Sequence, residues 1–328
     1  MRKILLTLAA AFIGLSMGLA AAPASAANVK ITPLGGQDGE FCRLDRAFVF
    51  EDPDGTRLLY DVGRTVAGAD VPRLGKIDAL LVSHMHGDHV GDKHTSGPNA
   101  GSCAKPDGSV SAVPNTSTVN IALAKNAKIV TGSEMQGFFK AKLQALGGNP
   151  KNSVLVRFGA TKKVGGVKIS TVPALHSNGV NPAFIGGDMG AAMKAAGISG
   201  YAGQATGYIL QFTNGLVVYL SGDTGMTAEQ DLVVRGYYHA ELVVMNIGDT
   251  FTTGPKEAAH VINNMIRPKS VIASHANEPA TKDGKILPGT RTATFKKAVR
   301  VPVHIPLSGK TLEFDGDGKC VAACTPPL

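Results

Sequence analysis

The stretch SHMHGDHVGD, residues 83–92, places three histidines and an aspartate within the six positions from His84 to His89. Side chains that ionise or coordinate are costly to crowd together unless something holds them. Immediately before it, IDALLVS (77–83) has the apolar, bounded character of a buried strand. The cluster therefore leaves the end of a strand, a rigid platform for side chains that converge on one point. In an extended segment alternate residues point the same way, so His84 and His86 can face one ion together. Asp88 and His89 then turn toward a second position nearby.

Three more strands end in side chains of the same kind. GVKISTVPALH runs into His176, LVVYLSGD into Asp223 and SVIASH into His275. Histidine with carboxylate suits zinc, and iron, manganese and nickel also accept such ligands. Five histidines and two aspartates exceed what one four-coordinate ion requires. They divide into His84, His86 and His176 for one metal and Asp88, His89 and His275 for the other, with Asp223 able to bridge. Two divalent ions about 3.5–4 Å apart would hold a hydroxide between them at neutral pH and leave the site net positive, which suits an anionic substrate. His94, His239, His260 and His304 fall in loop, helix or strand interior and read as structural or surface residues. Asp223-Thr224-Gly225 has the form of an aspartic-protease triplet. That chemistry needs two carboxylates sharing a proton, and the only partner, Asp61-Val62-Gly63, lacks the hydroxyl residue.

The remainder of the chain predicts alternating strands and helices. Strands are expected in RAFVFED and TRLLYDVG around a turn at Asp52-Pro53-Asp54-Gly55, in KIVTG, in SVLVRFG, and in TGYILQF and LVVYLSGD around Thr213-Asn214-Gly215. ELVVMNIGD, SVIASH, VPVHIP and KTLEFDG complete the strands. Helices are expected in VNIALAKN, in SEMQGFFKAKLQALGG with Ser133 as N-cap, Gln136 three residues on and Gly147 as stop, and in TAEQDLVVRGYY, GPKEAAHVINNMI and TATFKKAV. Residues 178–204, rich in Gly, Ala and Met, read either as a lid or as a packed loop with one short helix. No linker separates two domains, and the two mixed halves predict two sheets with helices outside.

The first 26 residues have the layout of a secretory signal peptide: Arg2 and Lys3, an apolar run, then Ala24-Ser25-Ala26. Cleavage after Ala26 would leave 27–328 as one exported domain, secreted or periplasmic. No later segment reaches the roughly 18 apolar residues of a membrane span. Losing Arg2 and Lys3 from a net +8 leaves +6, with no basic run that would suggest nucleic acid. In an oxidising compartment four cysteines suggest two disulfides. Cys42–Cys103 with Cys320–Cys324 is the favoured pairing, because the last two are close in sequence.

The motif His84-x-His86-x-Asp88-His89, followed by His176, Asp223 and His275, resembles the ligand order of the metallo-β-lactamase superfamily. IGDTFTTGPKEAA followed by SVIASH is similar to its metal-dependent hydrolase branch, near L-ascorbate-6-phosphate lactonase and tRNase Z. The resemblance spans about Val29 to Phe314. It implies an α+β, four-layer αββα sandwich in a single domain, with the metals at one edge of the sheets. It also implies hydrolysis by metal-bound hydroxide, with Asp88 as catalytic proton shuttle. An aspartate at position 223 argues against penicillin hydrolysis, and a leader argues against a tRNA-processing enzyme. Asp61 and Tyr208 are expected behind the ligands, and Tyr201, Tyr208, Asn178 and Asn246 as oxyanion donors. The expected substrate is a small molecule with an ester, lactone or phosphodiester bond. A non-catalytic periplasmic metal-binding protein and an iron-dependent redox enzyme are the alternative readings.

Overall fold

The computed structural model describes residues 27–324, so the expected leader, 1–26, lies outside the described residues. In chain order the first half supplies β1 (Val29–Leu34), β2 (Ala47–Glu51), β3 (Arg57–Tyr60), β4 (Ala79–Val82), β5 (Lys128–Thr131) and β6 (Ser153–Leu155). The second half supplies β7 (Thr161–Val164), β8 (Val167–Pro173), β9 (Thr206–Gln211) and β10 (Val217–Leu220). It continues with β11 (Leu242–Asn246), β12 (Ser270–Ser274) and β13 (Val303–His304). Finally β14 (Leu312–Phe314) and β15 (Cys320–Ala322) return to the first half. One sheet has the order β15-β14-β1-β2-β3-β4-β5-β6 and the other β13-β12-β11-β10-β9-β8-β7. Strands β3 to β6 run parallel, as do β10 to β13.

The period-2 alternation of these strands explains the layering. In β4, Ala79 and Leu81 face the other sheet, while Leu80 and Val82 face the helices outside. In β11, Leu242 and Val244 face inward, and Val243 and Met245 face the outer helices. Both faces of the central strands are buried, hence their continuous apolar runs. Helices Ser117–Lys125 and Met135–Ala145 cover the first sheet. Pro255–His260, continued by the π-helical turn Val261–Ile266, and Arg291–Ala298 cover the second. The result is the expected αββα sandwich in one domain. Among the described residues no helix is long and apolar enough to cross a membrane.

Three local expectations are corrected. Ser133 does not cap the helix after it: it adopts φ 50° and its hydroxyl donates to the Gln204 carbonyl (2.8 Å), a tertiary bond that displaces the local cap. Gln136 likewise donates to Ser153. TAEQDLVVRGYY winds as a π-helical run over Gln230–Arg235 rather than an α-helix. Residues 178–204 form two short helices, Pro182–Ile185 and Gly187–Ala195, closed by a two-residue strand pair. Phe184 is buried against the outer face of the first sheet, the second of these helices is largely exposed, and none of the segment lines the cavity over the histidine cluster, so it is not a lid over that site. Both favoured disulfides are present, Cys42–Cys103 and Cys320–Cys324.

Candidate metal centre

The seven ligand-type side chains meet at one edge of the sandwich, beyond the C-terminal ends of β4, β8, β10 and β12. After Val82 the chain leaves the strand through bends at Ser83 and Met85 that carry His84 and His86, with Met85 between them buried in the outer core. A single helical turn, Gly87–Val90, then rotates Asp88 and His89 to the other side. Gly91 ends that turn at φ 75°, and a Cβ there would sit 2.7 Å from the Gly63 carbonyl, so only glycine fits. The edge is sewn together across the sheets: Thr206 N donates to Ser83 O (2.9 Å) and the Tyr208 hydroxyl to the carbonyls of Val82 and Val130 (2.7 and 2.9 Å).

Three overlapping groups each bring one ligand atom per residue within 4.8 Å of the others: His84/His86/His176, His84/His89/Asp223 and Asp88/His89/His275. Asp223 Oδ2 stands between them, 3.9 Å from His84 Nε2, 3.8 Å from His176 Nε2, 3.3 Å from His89 Nε2 and 3.1 Å from His275 Nε2. Asp88 Oδ2 lies 3.6 Å from His275 Nε2 and 3.8 Å from His89 Nε2. Yet the Nε2 atoms of His84, His89 and His275 and Oδ1 of Asp223 are buried with no hydrogen-bond partner among the described residues. Buried polar atoms are normally satisfied, and a cluster of orphaned lone pairs converging on one point is what cation ligands look like without the cation. The donor set, imidazole with carboxylate, fits a divalent transition ion.

Electrostatics agrees. Burial alone would raise Asp223, but His275 and His89 hold it well below the usual carboxylate range. Asp88 behaves alike, burial being outweighed by His89 and Arg46. His89, despite burial, is pushed up to about 10 by Asp223, Asp61 and Asp88. His84 is driven well below its ordinary value by burial and by the charge of His89. Carboxylates at this centre demand positive charge, which bound cations would supply in place of a proton.

Asp61 sits behind the cluster. Its Oδ2 accepts from His89 Nδ1 (2.8 Å) and Ser83 Oγ (2.7 Å), and its Oδ1 from Ser83 N (2.9 Å). Ser83 Oγ in turn meets His84 Nδ1 at 2.9 Å. This chain of bonds fixes both Nδ1–H tautomers and leaves both Nε2 lone pairs facing the centre. Tyr208 is also behind the cluster, but its hydroxyl is consumed by two carbonyls, so it anchors the strand under His84 and cannot donate to an oxyanion. Asn178 binds Met85 N and Ala202 O, and Asn246 binds Thr224 O and Thr253 Oγ1, so both hold loops. Tyr201 is exposed and outside the cavity. None of the four serves as the expected oxyanion donor.

Several contributors escaped the sequence reading. Arg46, buried, grips Asp88 Oδ2 through Nε and Nη2 (3.2 and 2.9 Å) and also Asn277 (2.8 Å). Gly248 lies against His275, where a Cβ would approach its carbonyl oxygen to 2.5 Å and its Nδ1 to 2.8 Å. The cavity above the cluster, about 460 Å³, is lined also by Arg43, Arg64, Arg291 and Phe251, the last 70% exposed. Gly248 and Phe251 lie in the IGDTFTTGPKEAA stretch, whose resemblance did not assign them a role, and no motif marks Arg43, Arg46, Arg64 or Arg291, which come from segments distant in sequence.

Residues 45–275 match the Beta-lactamase superfamily domain, and the chain belongs to that superfamily. Within it the chain groups with metal-dependent hydrolases. It is 30% identical over 316 residues to a UPF0173 metal-dependent hydrolase of Polynucleobacter asymbioticus, covering 91% of each chain. Among solved structures it is similar to Igni18, a metallo hydrolase of Ignicoccus hospitalis, with TM-score 0.54 and 21% identity over 88% of this chain and 99% of that one. It is also similar to CmlA, a diiron β-hydroxylase of Streptomyces venezuelae, with TM-score 0.54 and 12% identity over 90% of this chain and 55% of that one. Both structural likenesses define the fold.

Proposed function

We propose that this chain is an exported binuclear metal hydrolase acting on an ester, lactone or phosphodiester bond of a small anionic molecule. The observation that carries the reading is three ligand groups that overlap through His84 and His89, with Asp223 Oδ2 within 3.9 Å of four of the imidazoles and orphaned Nε2 atoms on His84, His89 and His275. His84, His86 and His176 would hold one ion and Asp88, His89 and His275 the other, with Asp223 bridging. Zinc is the first expectation, ahead of manganese, iron and nickel. Two divalent ions there supply Lewis acidity and water activation at neutral pH.

The chain's own residues do the rest. Asp88 is part exposed toward the cavity and is kept ionised, against its burial, by His89 and Arg46, so its carboxylate is available to accept the proton of the attacking water and return it to the leaving group. Asp61 and Ser83 hold His89 and His84 in the ligating tautomer. Arg46, tied also to Asn277, keeps Asp88 from swinging away. The two disulfides and the leader sequence support export.

The test is metal content and turnover together, on the mature protein and Asp88→Ala, with lactone, thioester, β-lactam and phosphodiester substrates. About two zinc ions per chain with turnover lost in the variant supports the proposal. Iron and colour with oxidative chemistry, or metal without any turnover, would overturn it in favour of the redox or the metal-binding reading. N-terminal sequencing of material from the culture medium or periplasm tests export, and a chain still beginning at Met1 would refute it.

A further inference from the structure

The cavity over the metal centre does not end at the ligands. Arg43, Leu44 and Arg64 wall both it and an adjoining hollow of about 660 Å³, whose far side carries Lys93, Lys105 and Asp107. The cations of this hollow differ in how they are used. Arg64 is committed to Asp92 by a two-pronged pair at 2.6 and 2.8 Å. Arg43, Lys93 and Lys105 have no carboxylate partner among the described residues, in contrast to Arg46 and Arg64 beside them. Asp107, the acid among the hollow's described lining residues, accepts from Ser96 and Ser109 (2.6 and 3.1 Å), stays ionised and sets one negative charge against these three cations. Free positive charge therefore collects beside, and not within, the metal centre.

The wall that carries it is built rigidly. The Cys42–Cys103 disulfide joins the loop before Arg43 to the loop containing Lys105. Arg43 N donates to Cys103 O at 3.2 Å. Ser102 and Lys105 exchange backbone hydrogen bonds at 3.0 Å each, and Asp107 N donates to Ala100 O at 3.0 Å. Gly101, at φ 85°, lies so close to Asp107 N that a Cβ would stand 2.4 Å away. Lys93 lies across Gly108, its Cε 3.2 Å from where a Cβ would be. The staple fixes the backbone positions of Arg43 and Lys105 relative to each other, so an anion between them orders only the two exposed side chains and not the loops that carry them.

We propose that this hollow is a subsite for an anionic end group, carboxylate or phosphate, on an elongated substrate whose scissile bond lies at the metal centre. Arg43 makes the principal contact, and Lys93 and Lys105 add to the field. The assignment rests on the hydrolase reading for what happens at the other end of the molecule.

The experiment measures calorimetric binding to the metal-loaded mature protein of straight-chain monocarboxylates and α,ω-dicarboxylates of four to ten carbons. An ω-phosphate series of the same lengths separates the two anions. At the length that spans from the metals to Arg43, the second charge should tighten binding by about tenfold or more. Arg43→Ala and Arg43→Gln should remove most of that gain, read as the ratio of dicarboxylate to monocarboxylate affinity in each variant, with wild-type circular dichroism and Tm showing that they fold. Whichever series gains more names the end group. No gain at any length, or a gain that both variants retain, would overturn the subsite. Aryl esters with and without a terminal carboxylate, assayed in parallel, separate the two claims. Dicarboxylate preference without turnover of these esters or of the lactone and phosphodiester substrates above refutes the hydrolase reading and keeps the subsite, and turnover blind to charge refutes the subsite alone.

Discussion

Replacing Asp61 by Asn tests whether the bonds behind the ligands set metal affinity. The substitution is nearly isosteric, and Asp61 is buried, so packing changes little. Its two oxygens face donors on both sides: Ser83 N on one, Ser83 Oγ and His89 Nδ1 on the other. An amide has only one acceptor oxygen, so in either orientation its NH₂ meets a donor. If the NH₂ faces His89, the ring must carry its proton on Nε2, where a metal would bind. Loss of such a supporting bond typically weakens metal binding by about 10–100-fold, or ~1.4–2.7 kcal/mol. At free zinc 100-fold above the wild-type Kd, a tenfold loss lowers the metal's stabilisation of the fold from ~2.7 to ~1.4 kcal/mol. That corresponds to a smaller zinc-induced rise in Tm, by about 2–4 °C. Competition with a chromophoric chelator gives the affinity directly, and melting with and without zinc gives the linkage. Zinc affinity within about twofold of wild type, with the variant folded, would refute the reasoning.

Other perturbations have equally definite outcomes. Arg46→Met removes both contacts to Asp88 and should lower kcat by about tenfold or more with metal content near wild type; unchanged kcat would deny Arg46 its positioning role. Gly248→Ala forces a Cβ onto His275 and should deplete metal on dialysis, while Gly137→Ala, where nothing lies within 4 Å, should not. His304 is buried and held down at about 4 by burial and Lys296, so the native state resists a proton that the unfolded chain accepts below 6.5. Its share of stability is therefore present above about pH 6.5 and lost as pH falls toward 4, reaching ~2–3 kcal/mol. Urea unfolding at pH 7 and 4.5 should show His304→Phe losing less on acidification than wild type, and equal losses would refute the burial argument. Cys42→Ser with Cys103→Ser opens a link across 61 residues and should cost about 4 kcal/mol in denaturant unfolding, with a loss below 1 kcal/mol contradicting the loop-entropy account.

Much of this molecule is legible in the sequence because its signals are local. The apolar runs of β4, β8, β10 and β12 each lead into a ligand-type side chain, and period-2 alternation separates His84 and His86 from Met85. The turn signals at Gly55 and Gly215 likewise depend on a few adjacent residues. What failed locally was overridden from a distance. Ser133 left its capping role for a carbonyl 71 positions away, and Tyr208 spent its hydroxyl on Val82 and Val130 across the sandwich.

The chain by itself determined that histidines and aspartates would gather at strand ends, because residue type and strand period are properties of short segments. Only the tertiary structure decided which partners hold them. Arg46 reaches Asp88 over 42 positions, Gly248 yields space to His275, and the disulfide sets Arg43 beside Lys105. Those contacts arise where separate loops meet at one edge of two packed sheets. Nothing in the spacing of a linear sequence encodes such a meeting until both sheets have buried their common core.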